Sequence, residues 1–218
     1  MPHELTGKKK KNCFQVSSSL IQCISKPFLH WIVPCNEKWV FYNDQRWSAK
    51  WLHRGETPKY FSQPNFHQKK VTVTVWWSAA SLICYNFLNP SKNHYIWEVC
   101  SANQWDAPKT ATPAAGIGKQ KGPNSSWHHP MLHKLNKLGY KVVPHLPYSP
   151  DLSPTDYYFL KHLDYFFWGK RFHNQQEAEN AFQEFVESWS IYFYITGINK
   201  LISHLQQCID CNGSYFDE

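Results

Sequence analysis

Residues 70–77 read "KVTVTVWW". Valine and threonine alternate with period two, and both are β-branched. That pattern suits a pleated strand and does not fit a helix stripe. Small residues follow at 78–81, so "LICYNFL" (82–88) predicts a strand returning antiparallel to the first. "WIVPCNEKWVFYN" (31–43) is apolar and aromatic between polar flanks and predicts a buried strand. "SAKWLHR" (48–54) is a candidate for another. Residues 31–90 therefore carry three or four strands.

Beyond residue 130 the period changes. "MLHKLNKLGY" (131–140) places Leu132, Leu135 and Leu138 at helical spacing, with Gly139 as the C-cap. "KVVPHLPY" (141–148) predicts a strand. "NQQEAENAFQEFVESW" (174–189) puts Ala178, Ala181, Phe182, Phe185 and Val186 on one helix face. "GINKLISHLQQCID" (197–210) does the same with Ile198, Leu201, Ile202 and Leu205. Strands followed by a helix–strand–helix tail predict an α/β or α+β chain with a central mixed sheet and flanking helices. Residues 1–30 are mixed and turn-prone. Residues 91–130 hold neither period and are rich in Pro, Gly, Ala, Lys and Ser, so an irregular segment is expected there.

Charge bears on partners. The chain has 218 residues, enough for one domain with a sizeable core, and a formal charge of +7. A polyanionic partner, nucleic acid first, fits that charge, and so does ordinary solubility. "GKKKKN" (7–12) reads as a solvated run or as a phosphate-contacting patch or nuclear address. No apolar leader follows the start, and no run approaches the ~18 apolar residues of a membrane span. A reducing compartment with free thiols is therefore expected for the seven cysteines. "CIDC" (208–211) has CxxC spacing but no second pair near it, which is weak support for zinc. Trp76–Trp77 could stack bases, but one core-facing and one surface-facing residue is the simpler reading. His129 and His133 are i, i+4, and with His128 they lack a partner acid.

One stretch points to chemistry. "SPDLSPTDYYFLKHL" (149–163) brings Asp156 to the mouth of an apolar helical run. A carboxylate there and another in an early strand are how one sheet holds a pair of divalent ions for phosphoryl transfer. Together with "MPHEL" (1–5), "NEKWVFYN" (36–43), "KKVTVTVWWSAA" (69–80) and "NGSYFD" (212–217), this string resembles the mariner-type transposases. The resemblance covers about residues 1–90 and 131–218. It implies an RNase H-like catalytic domain over 31–218, with 1–30 a remnant of an inter-domain linker and 91–130 foreign to the family. It also implies DNA cleavage and transfer by three Asp residues with Mg²⁺ or Mn²⁺, and a nuclear location.

Carried over position by position, the resemblance puts the third acid at Asp156 and the first at Asn36, in "CNEKW". Counting back from Asp156 by the family spacing lands on Lys121, and no Asp or Glu occurs from 107 to 150. The second acid is thus absent, and Asp156 with Asn36 makes a degenerate site that binds metal weakly. Asp151, Glu37 and Asp44 are the nearest substitutes. Glu37 should point to the opposite sheet face from Asn36, and Asp151 should organise its turn. The family's DNA-end-reading helix-turn-helix units lie upstream of "PHEL", so end-specific binding is expected to be lost. Three readings stay open: an inactive catalytic domain, a module that binds DNA weakly and non-specifically or pairs with itself or related transposase chains, and a relic without selected function.

Overall fold

The computed structural model describes residues 5–23, 26–42, 70–88, 114–115, 141–143 and 149–216. The expected strand at 48–54, the helix at 131–140 and the histidines at 128, 129 and 133 lie outside these residues.

Strands β1 (Cys35–Phe41), β2 (Lys70–Trp77) and β3 (Leu82–Leu88) form an antiparallel sheet in the order β1-β2-β3. Asn36 stands opposite Val75, and Thr72 opposite Leu88. The Val/Thr alternation gives the strand and its core face, since Val71, Val73 and Val75 are all but fully buried, although Thr74 on the other face is buried as well. The valines face an aromatic layer in which Phe182 meets both Tyr85 (4.7 Å) and Phe87 (5.6 Å), and Phe159 meets Phe185 (5.6 Å). Each such phenylalanine contributes on the order of 1.5–3 kcal/mol by burial. The alternation of burial ends at Val73, and from Thr74 to Trp77 every residue of β2 is buried. A register shift between Trp76 and Trp77 breaks the pleat, and β2 is the middle strand. Both tryptophans are therefore buried, and neither offers a face to a base.

The predicted mixed sheet is corrected in one respect. Lys141–Val142 (β5) pairs in parallel with Ala114–Ala115 (β4), not with β1–β3. A strand pairing thus falls inside the segment expected to be irregular. Alanine runs carry no period to announce it.

Helices α1 (Gly7–Cys23), α2 (Lys26–Trp31), α3 (Lys161–Phe167), α4 (Gln175–Glu187) and α5 (Ile191–Asp210) pack around the sheet. On α4 the predicted face holds: Ala178, Ala181, Phe182 and Phe185 are buried and Val186 is half-buried. Asn174 caps it by accepting from the Glu177 N–H at 2.9 Å. On α5 the buried stripe runs through Tyr194, Gly197, Ile198, Leu201, His204, Leu205 and Cys208. Ile202 falls one position off that stripe and is 40% exposed, against expectation.

The turn-prone reading of 1–30 does not hold for Gly7–Cys23, a helix packed along α5. Its buried positions are Cys13 and Ser17. Neither counts as strongly apolar, so the i, i+4 stripe was illegible. The lysines of "GKKKKN" ride on its first turns, exposed or half-exposed. Among the described residues no helix is long and apolar enough to cross a membrane. Cys13, Cys35, Cys208 and Cys211 are free, but Cys84 is disulfide-bonded, so the expectation of seven free thiols fails.

Candidate active site

The "SPDLSPTD" string folds as two consecutive turns. Pro150–Leu152 is a single 3₁₀ turn, closed by Leu152 N–H donating to the Ser149 carbonyl (3.2 Å). The Ser153 carbonyl then accepts from the N–H groups of both Asp156 (2.9 Å) and Tyr157 (3.1 Å). Thr155–Leu160 is wound as a π-helix that runs into α3. Such widened turns are rare and recur at functional sites. The segment is fixed to the sheet by Trp77, whose Nε1–H donates to Thr155 Oγ1 at 3.1 Å. Sequence reading missed this clamp, because nothing in either local pattern pairs residue 77 with residue 155.

Asn36 is the second residue of β1 and is 8% exposed. Its Nδ2 donates to Asp156 Oδ1 at 2.7 Å, and its Oδ1 accepts from the Glu37 N–H at 2.8 Å. The structure thus brings together the two residues that the sequence singled out. Asp156 begins the helical segment but does not cap it, since its carboxylate reaches across to the strand. A hard divalent cation takes several oxygen ligands. Here one carboxylate faces an amide that turns its nitrogen toward it. Among the described residues, no three His, Cys, Asp or Glu side chains gather into a set that could hold a metal. The residues described do not fit a two-ion site. Lys121 and Asp44 lie outside them.

Neighbouring acids are engaged elsewhere. Glu37 stands opposite Thr74 and Asn36 opposite Val75, so the two alternate across the sheet as expected. Asp164 accepts from Lys38 Nζ at 2.6 Å. Burial pushes the Cys35 thiol up to about 12, with Glu37 and Asp156 adding to the rise. Cys35 is thus a packed, protonated thiol beside the pair.

Asp151 faces away, toward the seam of α1 and α5. Burial raises the Cys13, Cys208 and Tyr215 pKa values and the Asp151 charge adds to each rise, while the Asp151 carbonyl accepts from His204 Nδ1 at 2.7 Å. Burial pushes its own carboxyl up to about 6. A raised carboxyl pKa means the folded state holds the proton more tightly than the unfolded chain. The stabilisation is complete below about pH 4 and is lost as pH rises through about 6. Asp151→Asn should therefore match the parent at pH 4 and exceed it by about 2 kcal/mol at pH 7.5, allowing for partial solvent screening. Urea titrations of both chains at the two pH values check this. Equal differences at both would contradict it.

Residues 41–96 match a family model described as "Transposase (partial DDE domain)". Over 229 residues the chain is 54% identical to the human protein named Histone-lysine N-methyltransferase SETMAR, covering 100% of this chain and 33% of that one. It is 26% identical to the Mariner Mos1 transposase of Drosophila mauritiana, covering 100% of this chain and 66% of that one. The chain is related to the mariner-type transposases. The fold agrees. The mariner Mos1 paired end complex with Mg matches at a TM-score of 0.84 and 26% identity, over 100% of this chain and 66% of that one. The catalytic domain of Mos1 matches at 0.76 and 24%, over 100% of both chains. The chain is therefore RNase H-like in fold, close to SETMAR in sequence, and spans a third of SETMAR and about two thirds of Mos1 transposase.

Proposed function

We propose that this chain is a mariner-type catalytic domain, spanning 31–218 with α1 packed onto it, that has lost DNA cleavage and keeps weak, non-specific DNA binding. The reading is supported above all by the 2.7 Å hydrogen bond from Asn36 Nδ2 to Asp156 Oδ1. Two converging carboxylates repel one another and invite a cation between them. An amide donor satisfies the carboxylate oxygen it faces and brings no second negative charge to hold a cation. The proposed site is Asp156 with Asn36, a degenerate remnant of the family triad that binds Mg²⁺ or Mn²⁺ weakly. The second acid is absent from its expected register at Lys121. Relatives in the mariner family were solved with Mn and with Mg as paired end complexes, which makes those ions the ones to test.

DNA contact would come from phosphates and the formal +7 charge. Pairing with a second copy or with a related transposase chain, in the nucleus, belongs to the same proposal.

The test is Mn²⁺-dependent nicking of supercoiled DNA. The parent chain and Asn36→Asp are both expected to leave the plasmid intact. A chimera with Asn36→Asp and an intact family segment in place of 91–130 is expected to nick it. Parent nicking that disappears in Asp156→Ala would overturn the reading. Retention of the plasmid in a gel shift at 50 mM salt, lost at about 200 mM, is the expected binding result.

A further inference from the structure

The CxxC of the sequence ends α5, and the function proposed above makes no use of it. Cys208 is 1% exposed and faces α1, where Cys13 is 3% exposed and Ser17 fully buried. Cys13 Sγ lies 3.5 Å from Ser149 Oγ. Three residues on, Cys211 is the helix C-cap and is exposed. One thiol is thus open to solvent and the other lies at the centre of a helix seam.

Helical geometry brings them within reach. Residues i and i+3 share a face, and their Cα atoms are about 5 Å apart in a last helical turn. A disulfide accepts Cα separations of roughly 4.4–6.8 Å. The thiols already influence one another, since Cys211 and Cys13 both add to the raised pKa of Cys208, whose main cause is burial.

The seam also depends on this turn. The Cys208 carbonyl accepts from the Gly213 N–H at 2.8 Å, closing the helix with Asn212 at φ 51° and Gly213 at φ 76°. Gly213 sits so close to α1 that a Cβ there would come within 1.9 Å of the Lys10 carbonyl oxygen. The Cys208 backbone thus belongs to the turn that seats the end of α5 against α1.

We propose that Cys208 and Cys211 are an oxidation-sensitive pair whose disulfide loosens α1 from α5. Hydrogen peroxide is the oxidant considered. The Cys211 thiol is oxidised to a sulfenic acid while peroxide is reduced, its O–O bond breaking with release of one water. The Cys208 sulfur then attacks the Cys211 sulfur, the S–O bond breaks, and the hydroxyl leaves with the Cys208 proton as a second water. The disulfide draws Cys208 Sγ toward Cys211 and out of its place against Cys13 and Ser17.

The experiment treats the full chain with hydrogen peroxide, blocks remaining thiols with an alkylating agent and maps the peptides. Hydrogen exchange is followed across 7–23. The expected product links Cys208 to Cys211, with about tenfold faster exchange in α1. Cys211→Ser, at an exposed position, should fold normally, form no such link and show unchanged α1 exchange after peroxide. Three results would overturn the proposal: Cys211 passing to the sulfinic acid with no link, a link from Cys211 to Cys13 instead, or the expected link with α1 exchange unaltered.

Discussion

Asn36→Asp is expected to lower the melting temperature by about 9 °C at pH 7.5, and to make the chain responsive to Mn²⁺. Asn36 Nδ2 now donates to Asp156 Oδ1 at 2.7 Å in a buried setting. Aspartate there replaces a donor with a second carboxylate, so the hydrogen bond becomes a contact between like charges. Breaking a buried, charge-assisted bond of this kind costs about 3 kcal/mol. For a chain of this size that is about 9 °C. The pH dependence follows with a definite sign. Two facing carboxylates share a proton, so one folded-state pKa rises above its unfolded value. The cost is absent at pH below about 4 and grows as pH rises through the raised value. A divalent cation placed between the two oxygens relieves the same repulsion. Millimolar Mn²⁺ should recover much of the lost melting temperature in Asn36→Asp and leave the parent nearly unmoved. Thermal melts at pH 4.5 and 7.5, with and without Mn²⁺, read this out without any catalytic assay. A parent chain that gains as much from Mn²⁺ as the variant would show that the amide does not block the cation.

The fold was legible where a period runs undisturbed. Val71, Val73 and Val75 announced β2, and the Ala178–Phe185 face announced α4, because each pattern repeats over several residues of one burial class. It was illegible where small or polar residues do the burying. Cys13 and Ser17 carry the inner face of α1, and a register shift buries Trp76 and Trp77 together. The site divides in the same way. Asn36 and Asp156 were found through motif resemblance, since a local pattern cannot pair residues 120 positions apart. What no motif gave was the direction of the Asn36 amide. That direction turns a missing charge into a satisfied hydrogen bond, and it depends on the Glu37 N–H holding the Asn36 oxygen at 2.8 Å.

Gly197→Ala tests whether the helix layer positions that site. Alanine is normally better than glycine inside a helix by about 1 kcal/mol. On α5 the balance reverses. A Cβ at residue 197 would lie 2.5 Å from Tyr158 Cδ1 and 2.8 Å from Trp77 Cη2, both far inside van der Waals contact. Neither ring can easily yield. Trp77 is fully buried and tied through Nε1–H to Thr155, and Tyr158 packs on Phe193 at 4.8 Å. The Tyr157 hydroxyl donates to the Gly197 carbonyl at 3.2 Å, so α5 cannot back away without breaking that bond. Overpacking of this kind costs about 1–3 kcal/mol, and the lost hydrogen bond adds about 1 kcal/mol. Allowing for the helix gain, the expected net loss is about 2 kcal/mol, or about 6 °C. The strain enters the chain at Tyr158, two residues from Asp156 on the π-helical turn. Gly197→Ala should therefore lower the melting temperature and also reduce the Mn²⁺ response of an Asn36→Asp background, since Asp156 no longer meets residue 36 squarely. A melting temperature equal to or above the parent's would mean that the α5 layer gives way freely and does not set the position of Asp156.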